Sequence, residues 1–237
     1  MCIRDRDTGV KKVVALSTDK AASPINLYGA TKLCSDKLFV AGNSLSGENG
    51  TRFAVVRYGN VLGSNGSVVP FFQKKRLSGT LPITDPAMTR FIITLQQAVD
   101  FVTLAFEQME GGEVFVPKIP STTIMDIARA VAPECKTEII GIRPGEKMHE
   151  CMIPTDEARQ TIEFDNHFII QPTHRSWSNQ TPAYLEESKP CAPNFSYSSE
   201  SNTRWLKVNE LRRVIAEHCP ETTEFPTPII RQNSFAA

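Results

Sequence analysis

Short β-branched runs alternate along the chain with longer stretches of mixed polarity, a rhythm that predicts strands alternating with helices. "VKKVVALS" reads as a buried strand, Val10 to Ser17. An apolar run ending in a polar turn fits a parallel sheet covered on both faces. Pro24 stands near the start of the next helix, where proline is tolerated. That helix is predicted from Leu27 to Ala41, with Leu27 and Leu38 in a mixed apolar face. "SLSGENGT" is a loop, and "RFAVVRYGNVLG", Arg52 to Gly63, is a second buried strand. Strand, helix and strand form a βαβ unit with a right-handed crossover.

"SVVPFFQKKRLSG" predicts a helix with Pro70 in its first turn. A long amphipathic helix starts near Thr94 and closes at Gly111–Gly112. "GEVFVPK" is a third strand, and "STTIMDIARAVA" a helix capped by Ser121 or Thr122. "TEIIGIRPGEKMHE" is a strand running into a charged turn. Beyond Asp156 the chain is richer in serine, proline and asparagine and the pattern weakens; no internal repeat occurs. The alternation gives an α/β fold with a parallel sheet.

Composition narrows the function. The apolar fraction of 41% and charged fraction of 22% are those of a soluble globular protein. A net charge of zero lends no support to nucleic-acid binding. No apolar run approaches ~18 residues, so no membrane span is expected, and the N-terminus has no secretory core. Cys2, Cys34, Cys135, Cys151, Cys191 and Cys219 are scattered without a CxxC pair. That spacing points away from a metal site or a disulfide framework and towards the cytoplasm. His149, His167, His174 and His218 have no ligand spacing and read as structural or surface residues. Phe71-Phe72 reads as core rather than as a stacking platform.

The densest chemistry lies in "STDKAASPINLYGATK", Ser17 to Lys32. Tyr28 and Lys32 are four apart, which puts both on one helix face. A lysine ammonium beside a phenol favours the phenolate, which can take a hydroxyl proton. This YxxxK pair matches the short-chain dehydrogenase/reductases, although the spacing alone also arises by chance on surface helices. A strand ending in Ser-Thr just upstream strengthens it. The plain alternative for Asp19-Lys20 is a solvated turn with a helix-capping aspartate.

The stretch as a whole closely resembles the inverting UDP-N-acetylglucosamine 4,6-dehydratases, short soluble members of the extended short-chain dehydrogenase/reductases. Retaining relatives carry Asp-Glu in this turn and 4-epimerases small residues, where this chain has Asp19-Lys20. The likeness continues through "RYGNVLGSNGSVVPFF", "ITDPAMTRFIIT", "GGEVFVPK", "IGIRPGEKMHE" and "YSSESNTRWLKVNELR". It implies oxidation of C4, loss of water across C5 and C6, and return of the hydride to C6, with inversion at C5. NADP is the implied cofactor and UDP-N-acetylglucosamine the substrate, in surface or flagellar glycan biosynthesis. Tyr28 and Lys32 would serve C4 oxidation and contact the cofactor, as would Val61. Lys20 would remove the C5 proton, which asks for a lowered lysine pKa. Asp19 would help the C6 hydroxyl leave, and Thr18 would bond near the 4-hydroxyl. Asn60, Ser67 and Val68 match positions that hold the nucleotide sugar. Arg90 and Arg143 are diphosphate candidates, since guanidinium binds phosphate bidentately, and Glu146 would accept from a ribose hydroxyl. The plain readings are a surface ion pair for each arginine and a strand-end turn for Asn60.

The chain departs from that family in one respect. A Rossmann domain opens with a strand and a glycine-rich turn for the pyrophosphate, yet no GxGxxG occurs here. The expectation is therefore an incomplete Rossmann-type sheet lacking the family's N-terminal third, with "MCIRDR" unlike the preceding helix of relatives and an apolar edge left on "VVALS". Residues 1–62 would be the remaining cofactor-binding part. Residues 63–220 would be mainly the smaller nucleotide-sugar part, with 111–132 returning to the main sheet and 221–237 a loose tail. A homo-oligomer is implied for the full-length parent. Two other readings stand beside this one: a sugar-nucleotide epimerase or reductase of the same superfamily, and a non-catalytic, inactive fragment.

Overall fold

The structure, a computed structural model, describes residues 4, 7–47, 50–175, 177–178 and 181–219. The tail 221–237 and nearly all of "MCIRDR" lie outside the described residues. Strand β1 (Lys12–Thr18), helix α1 (Leu27–Ser46) and strand β2 (Arg52–Tyr58) form the βαβ unit. The strands pair in parallel without slippage from Lys12 opposite Arg52 to Thr18 opposite Tyr58. The order continues β3 (Asn60–Val61), α2 (Val68–Arg76), β4 (Thr80–Ile83), β5 (Thr89–Ile93), α3 (Leu95–Gln108), β6 (Val114–Pro117), β7 (Ser121–Thr123) and α4 (Ile124–Val131). It closes with β8 (Lys136–Ile139), β9 (Cys151–Ile153), β10 (Thr161–Glu163), β11 (His167–Ile170), β12 (Lys189–Pro190), β13 (Tyr197–Ser198) and α5 (Val208–His218).

The main sheet runs β1-β2-β6-β11-β10-β12. Its first three strands are parallel, and from β11 onward each pairs antiparallel. The sheet is thus mixed rather than wholly parallel. The segment after Asp156, where the sequence pattern weakens, supplies its antiparallel half. Three small sheets (β3-β5-β7, β4-β8 and β13-β9) flank it.

Several local expectations need correction. The single strand expected over 52–63 is two strands in different sheets. The break falls at Gly59, where a Cβ would sit 2.5 Å from the Phe91 Cβ; only glycine lets the chain pass that close. Strand β1 is covered less than expected. It ends the sheet, and Leu16 is 51% exposed. Helix α1 turns Leu27 and Leu38 outward and rests instead on Gly29, Asp36, Phe39, Gly42 and Asn43. Its anchor is polar: Asn43 Nδ2 donates to the Phe53 carbonyl at 2.8 Å and its Oδ1 accepts from Phe53 N at 2.9 Å. A buried salt-bridge cluster adds to this, with Arg57 facing Glu157 at 2.7 Å and Asp36 at 3.5 Å. Helix α4 is capped by Thr123, not by Ser121 or Thr122, which lie in β7. Helix α3 begins as expected, with Thr94 and Gln97 closing a capping box. No described helix is long and apolar enough to cross a membrane.

Candidate active site

In open α/β sheets, ligands bind beyond the carboxyl ends of the strands. At that end of β1 the chain makes a 3-10 turn, Asp19–Ala21. Thr18 caps it, accepting from Lys20 N at 3.4 Å and donating from Oγ1 to Asp19 Oδ1 at 2.9 Å. Asp19 is fully buried inside the turn, so it is neither solvated nor the cap. Lys20 Nζ donates to Asp19 Oδ1 at 3.0 Å and lies 3.5 Å from Glu150 Oε1. Burial is the largest single influence on Lys20 and pulls its pKa down. The pull of Asp19 and Glu150 together exceeds it, and the net direction is up. The lowered lysine pKa expected from sequence is therefore not what this arrangement produces: the paired carboxylates hold Lys20 as an ammonium.

Two features bind the turn to the helix that follows. Ser23 has φ 46°, a conformation side chains other than glycine adopt rarely, and it allows the reversal into Pro24. Asn26 caps α1, its Oδ1 accepting from Gly29 N at 2.8 Å, while its Nδ2 donates to the Gly145 carbonyl at 2.8 Å. Tyr28 and Lys32 share one face of α1. Tyr28 is 54% exposed, and Lys32 Nζ donates to the Leu16 carbonyl at 3.0 Å. Lys147 Nζ donates to the Ala22 carbonyl at 2.6 Å, so the "RPGEK" turn is fastened to the catalytic-type loop at two points.

Beside the turn lies a pocket of about 490 Å³. It gathers Lys20, Asn60, Ser67, Val68, Arg90, Arg143 and Glu146 from the sequence-nominated set. Thr18 and Asp19 stand behind Lys20, and Tyr28 and Lys32 lie outside the pocket lining on α1. Val61 is in β3, paired opposite Ile93. Four buried side-chain oxygens of the lining have no hydrogen-bond partner: Asn60 Oδ1, Ser67 Oγ, Glu146 Oε2 and Glu150 Oε2. Buried polar atoms are normally satisfied, so this group points to a polar occupant. The two arginines differ. Arg90 is nearly buried, donating to the Thr89 and Met148 carbonyls at 2.7 and 3.1 Å and to Glu146 at 3.3 Å. Arg143 is exposed and has no ion pair among the described residues.

Glu150 and Lys147 also line the pocket, as does Asn26. None was singled out from sequence. The two charged residues sit inside the charged turn "RPGEKMHE", where nothing in the spacing distinguishes them from solvated neighbours.

A family described as "Polysaccharide biosynthesis protein" matches residues 3–172. Among curated relatives, the UDP-N-acetylglucosamine 4,6-dehydratase (inverting) of Campylobacter jejuni is 52% identical over 215 residues, covering 88% of this chain and 64% of the relative. The UDP-glucose 4-epimerase of Rickettsia bellii is 36% identical over 211 residues, covering 87% and 61%. Among solved structures, Pen from Bacillus thuringiensis superposes with a TM-score of 0.80 at 34% identity, covering 91% of this chain and 65% of that one. The chain thus spans a little under two thirds of the length of the curated relatives it matches.

Proposed function

The chain belongs to the polysaccharide biosynthesis protein family, and from that we propose that it carries the dehydration centre of an inverting UDP-N-acetylglucosamine 4,6-dehydratase, working in the cytoplasm. The observation that carries this reading is the pair of buried Asp19 and half-buried Lys20, joined at 3.0 Å, with Lys20 opening onto a pocket lined by unsatisfied oxygens. The 52% identity to the Campylobacter jejuni dehydratases supports it.

The pair accounts for the elimination with its protons balanced. Lys20 ammonium and Asp19 carboxylate hold one mobile proton between them. Passing it along their hydrogen bond gives an amine and a carboxylic acid. A proton α to a C4 ketone is acidic, and the amine takes it from C5. The acid gives its proton to the departing C6 hydroxyl, which leaves as water. The pair ends as ammonium and carboxylate again, so the raised Lys20 pKa describes the resting form. Tyr28 takes the C4 hydroxyl proton beforehand, with the Lys32 ammonium one turn further on the same face. Asn60, Ser67 and Val68 hold the sugar, Arg143 the diphosphate, and Glu146 a ribose hydroxyl.

The residues present fit one end of a nicotinamide dinucleotide. Exposed Tyr28 and half-buried Lys32 stand over the free edge of β1, near Leu16, while the sequence holds no glycine-rich turn for the cofactor's phosphates. When bound, such a cofactor, NADP in this reading, supplies the hydride acceptor for C4 and the donor for C6. Residues up to 62, apart from Lys20 and Asn60 in the pocket lining, belong to its half of the site, and the pocket side to the nucleotide sugar.

An epimerase is the second reading, favoured by the Rickettsia bellii relative. It has no use for a C5 base. The separating experiment adds UDP-N-acetylglucosamine and NADP in D2O, using the protein extended to the relatives' full length where the 237-residue chain does not turn over. A 4-keto-6-deoxy product labelled at C5 is expected. A C4 epimer without C5 label would overturn the proposal.

A further inference from the structure

Glu150 stands next to β9 with 3% of its surface exposed. Its backbone is pinned: its N–H donates to Ser199 Oγ at 2.9 Å, and its carbonyl accepts from Ser199 N at 2.8 Å. Ser199 Oγ in turn bonds Thr89 Oγ1 at 2.7 Å, which bonds His149 Nδ1 at 2.8 Å. A carboxylate on so fixed a base cannot swing away to solvent. It is surrounded by cations from three segments. Lys20 Nζ is 3.5 Å from Oε1, Arg90 Nε is 3.9 Å from Oε1, and Lys147 Nζ is 3.8 Å from Oε2. Oε2 makes no hydrogen bond, although it lies within the pocket wall.

We propose that Glu150 is a positioning residue that holds Lys20 between two carboxylates and sets the pH above which Lys20 loses the proton it shares with Asp19. The geometry separates its task from that of Asp19. Asp19 touches Lys20 through a hydrogen bond of 3.0 Å, along which a proton can pass. Glu150 acts across a longer gap and through charge, with no competing claim on that proton. The other charges in reach are accounted for. Arg90 faces Glu146 at 3.3 Å, and Lys147 is tied to the Ala22 carbonyl. On the far side His149 pairs with Glu200 at 3.2 Å. Burial also keeps the Glu150 pKa above the ordinary carboxylate range. Removing this charge leaves Lys20 near the Arg90 cation with Asp19 alone to offset its burial.

The link between Glu150 and Lys20 is testable on the chain itself, without turnover. Lys20 is acylated with limiting acetic anhydride across the alkaline range, and the pH dependence of its modification is read peptide by peptide by mass spectrometry. In Glu150→Gln the Lys20 titration is expected to move down by about one unit or more, because a neighbouring opposite charge shifts a pKa by roughly 1–3 units. Lys11 and Lys136, both exposed, provide unmoved internal references. Should Glu150→Gln lose its near-UV circular dichroism, Glu150→Asp draws the charge back by one methylene and is expected to give a smaller shift of the same sign. An unmoved Lys20 titration in the folded variant overturns the inference.

The inference rests on the proposed dehydration in its second half only. In an active preparation, the alkaline limb of the elimination rate, where the pair loses its one proton, should move down together with the Lys20 titration, while C4 oxidation stays put. A shifted titration with an unshifted limb would leave the Glu150–Lys20 link standing and overturn the assignment of Lys20 as the C5 base.

Discussion

Replacing Gly29 with alanine tests how the site is assembled. Gly29 is the third residue of α1, next to Tyr28, and its hydrogen side faces the Lys20 carbonyl. A Cβ there would lie 2.3 Å from that oxygen, 3.0 Å from the Pro24 Cβ and 3.2 Å from the Lys20 carbonyl carbon. Two of the three are backbone atoms, which cannot rotate away. Ordinary contact begins near ~3.4 Å, so α1 and the turn must separate by about 1 Å. Elsewhere in a helix the change to alanine would stabilise by ~0.5–1 kcal/mol. Here overpacking costs roughly 1–3 kcal/mol, for a net loss of about 1–2 kcal/mol. Denaturant unfolding should show it as a lower midpoint at constant slope. The separation also pulls Tyr28 from Lys20. A misplacement of about 1 Å can cost ~10²-fold in rate, so turnover should fall much further than stability alone explains. A more stable Gly29→Ala protein with unchanged turnover would refute the claim that helix and turn meet at this glycine.

On the proposed reaction, and in the protein extended to the relatives' full length, Tyr28→Phe keeps the ring but loses the proton acceptor, so turnover should drop by ~10²–10⁴-fold with substrate affinity retained; near-normal turnover would move the C4 base elsewhere. Lys20→Met should still let UDP-N-acetylglucosamine reduce the cofactor, seen as nicotinamide absorbance, yet form no 4-keto-6-deoxy product; product at the normal rate would remove Lys20 from the elimination. Arg143→Met should raise KM with little change in thermal stability, whereas Arg90→Met, which takes a cation away from half-buried Glu146 and buried Glu150, should cost about 3 kcal/mol; equal effects on both would erase the distinction drawn between them. Burial, with Lys118 adding to it, lowers the His167 pKa from 6.5 to about 4. The unfolded chain then holds the extra proton between those values, so stability should fall as pH drops from 6.5 towards 4, by about 3 kcal/mol in full. His167→Phe should flatten that slope, and an unchanged slope would place the titrating group elsewhere.

The strand–helix–strand unit was legible in the sequence because it is local: a β-branched run, a capped helix and a second run specify it by neighbours alone. The same locality made Asp19, Lys20, Tyr28 and Lys32 readable, since a turn and one helical turn fix their spacing. The apolar face of α1 was misread because Leu27 and Leu38 look like core. The helix instead approaches β2 so closely that glycine, Phe39 and Asn43 fit best there. The break at Gly59 was hidden for a similar reason, as Phe91, far along the chain, creates the need for glycine.

What the sequence determined by itself, then, is the list of groups able to move protons at the end of β1 and the order of elements that presents them. Only the tertiary structure decided which way the Lys20 pKa moves. Lys20 was expected with a lowered pKa because the role of a C5 base asks for one, and burial acts in that direction. Asp19 and Glu150 together reverse the sign, and Glu150, 130 positions later, arrives at 3.5 Å from the residue just before β9. Coulomb attraction depends on distance in space and on the dielectric of the surroundings, and neither quantity is written in the spacing of residues along a chain.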